Sequence, residues 1–566
     1  MTKFQDMKYE RPDFEKVLKD AGNLVDRMEK AQDEQAFFDA LFEIEALERN
    51  LATMSTLSNI RHTIDTRDKF YEAESDVWDE MGPRLQAVGA RKVEVILASP
   101  FKGRIAEKYG PHLLEKAEVS LKAFKPEIVE DLIEENKLTS EYEKLTASAQ
   151  IEFEGKTYNL SGLAPFTQST DRETRKKAND AQWGWLAERV EQLDEIYDKL
   201  VRIRHRIGKK LGYDNFIPVA YARMGRTDWD QQDAKVYRRQ IIDSVVPLAQ
   251  KLYKEQARRI GVEQLKNYDA TLEFLSGNPK PAGDEEVLVK HASKMYRELS
   301  PETDEFFQVM VNQELMDLTT KPGKAPGGYM TFLPDYKVPF IFSNFNGTSG
   351  DVDVLTHEAG HAFQGYLQRN VELMAISDYT SEVAEIHSMS MEFFTHPWME
   401  GFFGEDTEKY YYSHVSSALK FLPYGASVDA FQEWVYEHPD ATPQERRKQY
   451  REIEKIYLPH LDYDGFEYLE GGGRWQKQLH IYLYPFYYLD YTLAQVCALQ
   501  YFVWSLKDRE AAWKSYLTLC MESGRVPFKQ LAPKSGLNSP FVEGAIAKLT
   551  PELEKYMDGL DKSKIL

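Results

Sequence analysis

The chain has 566 residues with 92 acidic against 71 basic side chains, a net charge of −21, and is 42% hydrophobic and 13% aromatic. That apolar content builds a sizeable core and excludes a disordered chain. The negative balance argues against a phosphate-binding surface and an anionic-membrane face, so neither nucleic acid nor membrane is an expected partner.

The length implies two to four domains or one large helical body. No run approaches the roughly 18 apolar residues of a membrane span. Residues 1–13 are polar and charged, without the apolar stretch of a secretory signal, so a cytoplasmic protein is expected. Cys497 and Cys520 sit in apolar helical context and are expected as reduced core thiols.

Residues 12–145 read as successive amphipathic helices. In 34–64, for example, Phe37, Leu41, Ile44, Leu47 and Leu51 recur at helical spacing. Breaks are expected near Gly82-Pro83, Ser99-Pro100 and Gly110-Pro111. Residues 151–160 alternate around Glu154-Gly155-Lys156, a short hairpin signal. Thr170 to Glu173 reads as a capping box opening a helix to about Leu211, and Thr227 to Asp230 as a second box. Residues 276–283 are the clearest linker, and helices resume to about Leu318.

Residues 319–328 are then rich in Gly and Pro. Two β-prone runs follow, 329–333 and 338–345. Gly347 to Asp351 comes next, with Asp351 placed to cap the following helix. After about Asp378 the chain reads as helical to its end. The expected fold is mainly α with a small β-sheet just before one chemically distinctive helix.

That helix carries His357-Glu358-Ala359-Gly360-His361. Residues i and i+4 lie about 40° apart and one turn along a helix, so both imidazoles can meet one ion. Glu358 points partly away, toward a water rather than the metal, which is the arrangement of a zinc peptidase. The alternative is a helix needing no metal. Leu355, Ala359, Ala362 and Tyr366 would form its apolar face, and Asp353, His357, His361, Gln364 and Gln368 a solvated one.

A catalytic zinc takes three protein ligands. Residues 377–395 supply a helix on which Asp378, Glu382, Glu385, Met389 and Glu392 share one stripe, opposite Val383, Ile386 and Phe393. One carboxylate would be a ligand and others would orient the His rings. Spacing leaves Glu382, Glu385 and Glu392 open.

His357 to His361 followed by Val383-Ala384-Glu385-Ile386-His387-Ser388-Met389 resembles the thimet oligopeptidase and oligoendopeptidase F family of zinc metallopeptidases, and most of all its bacterial oligoendopeptidase F branch. Pro339 to Phe345 resembles the strand that the family carries before its metal helix. His480 with Tyr484, Tyr487, Tyr488 and Tyr491 is similar to its His-and-Tyr loop. Two departures stand out. Gln364 replaces a frequent His, and Gly471 to Gly473 precede His480 instead of following it.

The resemblance implies a two-lobed helical fold with a deep substrate channel, an N-terminal helical region over 1–205 and a catalytic region over 206–566. It implies one Zn²⁺ per chain on His357, His361 and Glu385, with short unfolded oligopeptides as substrates. Glu358 would be the general base, and Tyr491, Tyr484 and His480 would stabilise the oxyanion. An extended substrate could pair along an exposed edge of strand 338–345. The competing expectations are a zinc carboxypeptidase on a similar scaffold and a peptide-binding protein without catalysis. The intact His357, Glu358, His361 and Glu385 argue against the latter.

Overall fold

The computed structural model describes residues 2–321, 323–325 and 327–565. The fold is mainly α. Its N-terminal helices Phe14–Glu29, Glu34–Ile64 and Lys69–Ala98 pack against one another. Asp13 and Asp33 cap the first two, accepting from Lys16 N and Ala36 N. No described helix is long and apolar enough to cross a membrane.

The expected break at Gly82-Pro83 is absent, because Lys69–Ala98 runs straight through it. A proline inside a helix forfeits a backbone hydrogen bond. Packing of this helix against its two predecessors offsets that loss. Chain breaks do follow at Ser99 and at Gly110, whose φ of 95° suits glycine. Ile151–Phe153 and Lys156–Tyr158 form the expected antiparallel hairpin.

The helix expected over 170–211 is two helices, Arg172–Ala187 and Val190–Lys210. Asp171, rather than Thr170, is its cap. The interruption is stabilised by Arg189, whose Nη1 donates to Trp185 O at 2.9 Å while its guanidinium lies 4.1 Å from the Trp185 ring centroid. The second capping box starts at Asp230, with Asp233 as its reciprocal partner. The expected division at 205/206 falls inside Val190–Lys210, whose buried face joins a core reaching from Met7 to Ile565.

The sheet has three strands in the order Met316–Thr319, Val338–Phe345, Tyr329–Leu333. Met316–Thr319 lies where a helix was expected to continue; the helix Pro301–Asn312 stops short of it. Val338–Phe345 is central, parallel to Met316–Thr319 and antiparallel to Tyr329–Leu333. Both its edges are therefore filled, and the expectation that substrate pairs there is corrected. Among the described residues the outer edge of Tyr329–Leu333 is unpaired.

A smaller core joins distant parts of the chain. Val25, Phe37, Leu41 and Ile44 pack with Leu373 and Ile376. Polar groups reinforce that junction. Arg49 Nη2 donates to Val371 O at 2.6 Å, and Glu45 Oε2 accepts from Met374 N at 2.8 Å. Lys116 Nζ donates to Ala375 O at 2.6 Å and also to Asp378 O. The N-terminal helices thus grip residues 371–378.

Candidate metal centre

The His-Glu-x-x-His motif lies on the helix Gly350–Leu367. Ser349 occupies its N-cap position, and Asp351 lies inside the first turn instead of capping it. The Asp351 carboxylate accepts from Asn346 N at 2.9 Å and Gly347 N at 2.8 Å, pinning the turn that enters the helix. The supposed solvated face is enclosed. Gln364 and Gln368 are buried, and their Nε2 atoms donate to Cys520 O at 3.3 and 3.0 Å. A fully solvated surface helix is excluded by that burial.

The second helix is Ser381–Phe394, so Asp378 lies outside it. Its acidic stripe faces the interior. Glu382 Oε1 accepts from Trp229 Nε1 at 3.0 Å. Glu392 Oε1 lies 2.7 Å from His357 Nδ1. Glu385 Oε2 stands 3.2 Å from His357 Nε2 and 3.5 Å from His361 Nε2. Three ligands held about 2.0–2.1 Å from a tetrahedral centre lie roughly 3.3–3.4 Å apart, so this donor set fits such an ion. Among the described residues these are the three whose ligand atoms all gather within 4.8 Å.

Electrostatics fit the same arrangement. Burial opposes charge on both partners. Even so, the Glu385 and Glu392 carboxylates hold His357 well above the ordinary imidazole range. The two imidazoles in turn hold Glu385 well below the carboxylate range. Such a site is poised for a cation. Glu358 is buried and makes no hydrogen bond to a described residue; burial pushes its carboxyl up, against the pull of His357 and His361. It faces the start of the edge strand: a Cβ at Gly328 would lie 3.8 Å from Glu358 Oε1.

The His-and-Tyr segment closes the other side. Tyr487 OH donates to Glu385 Oε1 at 3.0 Å. Tyr491 packs edge-on against Tyr487, with ring centroids 5.0 Å apart. The His480 ring lies 5.7 Å from both. His480 Nδ1 pairs with Gln478 Nε2 at 2.8 Å, and burial pushes its pKa down to about 4, so the ring is neutral near pH 7. Tyr484 stands at the rim, 54% exposed, with its ring 6.2 Å from Tyr487.

The sequence profile of peptidase family M3 matches residues 166–525, and that of the peptidase M3 N-terminal domain matches 4–124. The chain belongs to peptidase family M3. Three solved structures are similar over its whole length. A candidate oligoendopeptidase F is 49% identical, with both chains fully covered and a TM-score of 0.96. Pz peptidase A, solved with an inhibitor, is 48% identical with the same coverage and TM-score. A candidate oligoendopeptidase F from Bacillus anthracis is 46% identical, covering 100% of this chain and 99% of its own, with a TM-score of 0.91. No curated protein sequence matches the chain.

This M3 chain is accordingly a metalloendopeptidase of the oligoendopeptidase F kind, with peptides as substrates. Two features of its site escape a reading of the sequence. Tyr487 is one of several tyrosines in the loop, and only the fold brings its hydroxyl to Glu385. The residue before it, Phe486, has φ 67°. That conformation costs a bulky residue about 1–3 kcal/mol and persists only where the surroundings impose it. Here Phe486 N donates to Gln432 Oε1 at 3.0 Å, and Phe486 O accepts from Arg226 Nη2 at 2.7 Å. Arg226 also pairs with the Asp490 carboxylate at 2.6 Å, so one guanidinium ties the Phe486 carbonyl before Tyr487 to a side chain after it.

Proposed function

We propose that this M3 peptidase is a zinc-dependent endopeptidase that hydrolyses internal bonds of short unfolded oligopeptides. His357, His361 and Glu385 would hold the zinc. The observation that carries the reading is the approach of both Nε2 atoms to one Glu385 oxygen, at 3.2 and 3.5 Å, beside an unpartnered Glu358. When bound, zinc supplies Lewis acidity, acidifying water and polarising the scissile carbonyl.

The protein's own groups do the rest. Glu358, raised by burial, takes the proton of the attacking water and returns it to the leaving amine. Negative charge then develops on the former carbonyl oxygen and needs donors held in place. Tyr491 and His480 are the proposed donors, with Tyr484, at the rim, as a third. Tyr487 is directed at Glu385 and steadies that carboxylate instead.

The open edge of Tyr329–Leu333, beginning next to Glu358, suits an extended peptide bound through main-chain hydrogen bonds. Such pairing is indifferent to side chains and favours broad specificity. A deep channel between two helical lobes would restrict substrates to short chains. The buried free thiols Cys497 and Cys520 suit a reducing compartment, the cytoplasm.

Glu358→Gln tests the mechanism. With a quenched fluorescent oligopeptide blocked at both ends, hydrolysis is lost while the bound zinc stays stoichiometric; retained turnover overturns the reading. Cleavage of the blocked peptide by the unaltered enzyme separates it from a carboxypeptidase.

A further inference from the structure

His357 is tied to more than Glu392. The second Glu392 oxygen, Oε2, lies 2.8 Å from His414 Nε2, and His414 Nδ1 lies 2.8 Å from His396 Nε2. His414 stands on a third helix, Thr407–Glu437, and His396 on the turn His396–Trp398 just beyond the Glu385 helix. The His414 ring packs against two aromatic neighbours. Phe393 packs at 4.6 Å between centroids, and Tyr410 stacks at 5.4 Å and 14°. Tyr410 OH donates to Asp353 Oδ1 at 2.7 Å, one turn before His357 on the motif helix.

The hydrogen bonds have one consistent direction. With a metal ion on Nε2, the one proton of His357 would sit on Nδ1 and be donated to Glu392 Oε1. An ionised carboxylate only accepts, so His414 donates from Nε2, and in the neutral ring Nδ1 is left as an acceptor. His396 then donates from Nε2, leaving its Nδ1 bare. That Nδ1 is buried without a partner, as a lone pair can be at less cost than an N–H group. A carboxylate behind a ligating imidazole fixes its tautomer and raises its basicity. Here the carboxylate is itself held from behind.

We propose that His414 is a positioning residue for the metal site: through Glu392 it holds the His357 ring in the tautomer and orientation that present Nε2, and His396 fixes His414 in turn. The inference rests on the metal-binding role proposed for His357.

The test is the rate of zinc transfer from loaded enzyme to a chromogenic chelator at fixed pH, beside a thermal melt. His414→Phe keeps the ring packing but loses the donor, and is expected to weaken zinc binding about 10–100-fold. His414→Gln retains an N–H for Glu392 and is expected to recover most of that loss. With zinc in excess, KM for a short peptide stays unchanged in both. Unaltered zinc release in a folded His414→Phe enzyme overturns the proposal, as does an equal loss in the Gln variant. Should His414→Phe fail to fold, His396→Phe, which removes only the outer donor, must still release zinc faster than the unaltered enzyme. His357→Ala is the control for the underlying reading. If it keeps its zinc, the ligand assignment fails; if it loses zinc and His414→Phe does not, only the positioning role fails.

Discussion

Gly360 lies so close to His387 that a methyl group on it would stand 2.6 Å from the His387 carbonyl oxygen and 2.7 Å from the Ser388 Cα. The obstructing atoms are backbone, which cannot swing aside. The glycine inside the motif is therefore what lets the two ligand-bearing helices touch. Gly360→Ala is expected to force them apart, at about 1–3 kcal/mol of overpacking. Because His361 and Glu385 ride on those helices, zinc affinity should fall together with the melting temperature. A Gly360→Ala enzyme that melts and binds zinc like the parent would refute the close contact.

Tyr487→Phe removes one hydroxyl, the donor to Glu385 Oε1. Hydrogen bonds to charged groups contribute about 1.5–3 kcal/mol. The expected outcome is at least a tenfold weaker zinc affinity with an unchanged fold. Equilibrium dialysis against graded zinc buffers measures it. Parental affinity would reduce Tyr487 to packing.

Arg226 and Asp490 form a fully buried ion pair, and Arg226 lies over the Trp229 ring at 4.0 Å. Removing one partner of such a pair strands the other's charge, at about 3–5 kcal/mol. Arg226→Met is therefore expected to lower the urea midpoint sharply. Arg226→Met with Asp490→Leu should recover part of the stability, since the carboxylate paired with Arg226 is removed with it. Activity is not expected to return with it, because the Phe486 carbonyl has still lost its donor.

Stability should fall in mild acid, and His460 supplies part of that slope. Its ring stacks on Tyr253 at 3.6 Å between centroids. Burial, with Arg474 and Lys420 nearby, lowers its pKa from 6.5 to about 3. The unfolded chain takes up a proton below about 6.5, whereas the folded chain does not until about 3. The contribution is thus complete above pH 6.5 and shrinks as pH falls toward 3. Between pH 7 and 5 the loss amounts to about 2 kcal/mol. Urea titrations at both values should show a correspondingly smaller drop for His460→Phe. An identical drop would mean that His460 charges in the folded state.

How legible the site was depended on the range of each interaction. The pairing of His357 with His361 is a local property of a helix, so spacing alone reveals it. Glu382, Glu385 and Glu392 share a stripe and look alike in the sequence; Trp229, 153 residues from Glu382, and His414, on the helix after next, give the outer two their other partners. Family resemblance singled out Glu385, but no motif marks His414. The strands 329–333 and 338–345 were readable from their composition. Their order was not, because pairing depends on Met316–Thr319, four residues with little alternation. The helix through Gly82-Pro83 likewise reflects packing that overrides a local breaker.

The grip of the N-terminal helices on residues 371–378 has a consequence for dissection. That segment joins the two ligand-bearing helices, so whatever holds it sets the spacing of His361 from Glu385. A fragment starting at residue 166 would contain every proposed ligand yet lack Glu45, Arg49 and Lys116. Its connecting segment would lose those three anchors while keeping its contact with Gly524. The smallest working unit is then expected to include the N-terminal helices that carry Glu45, Arg49 and Lys116.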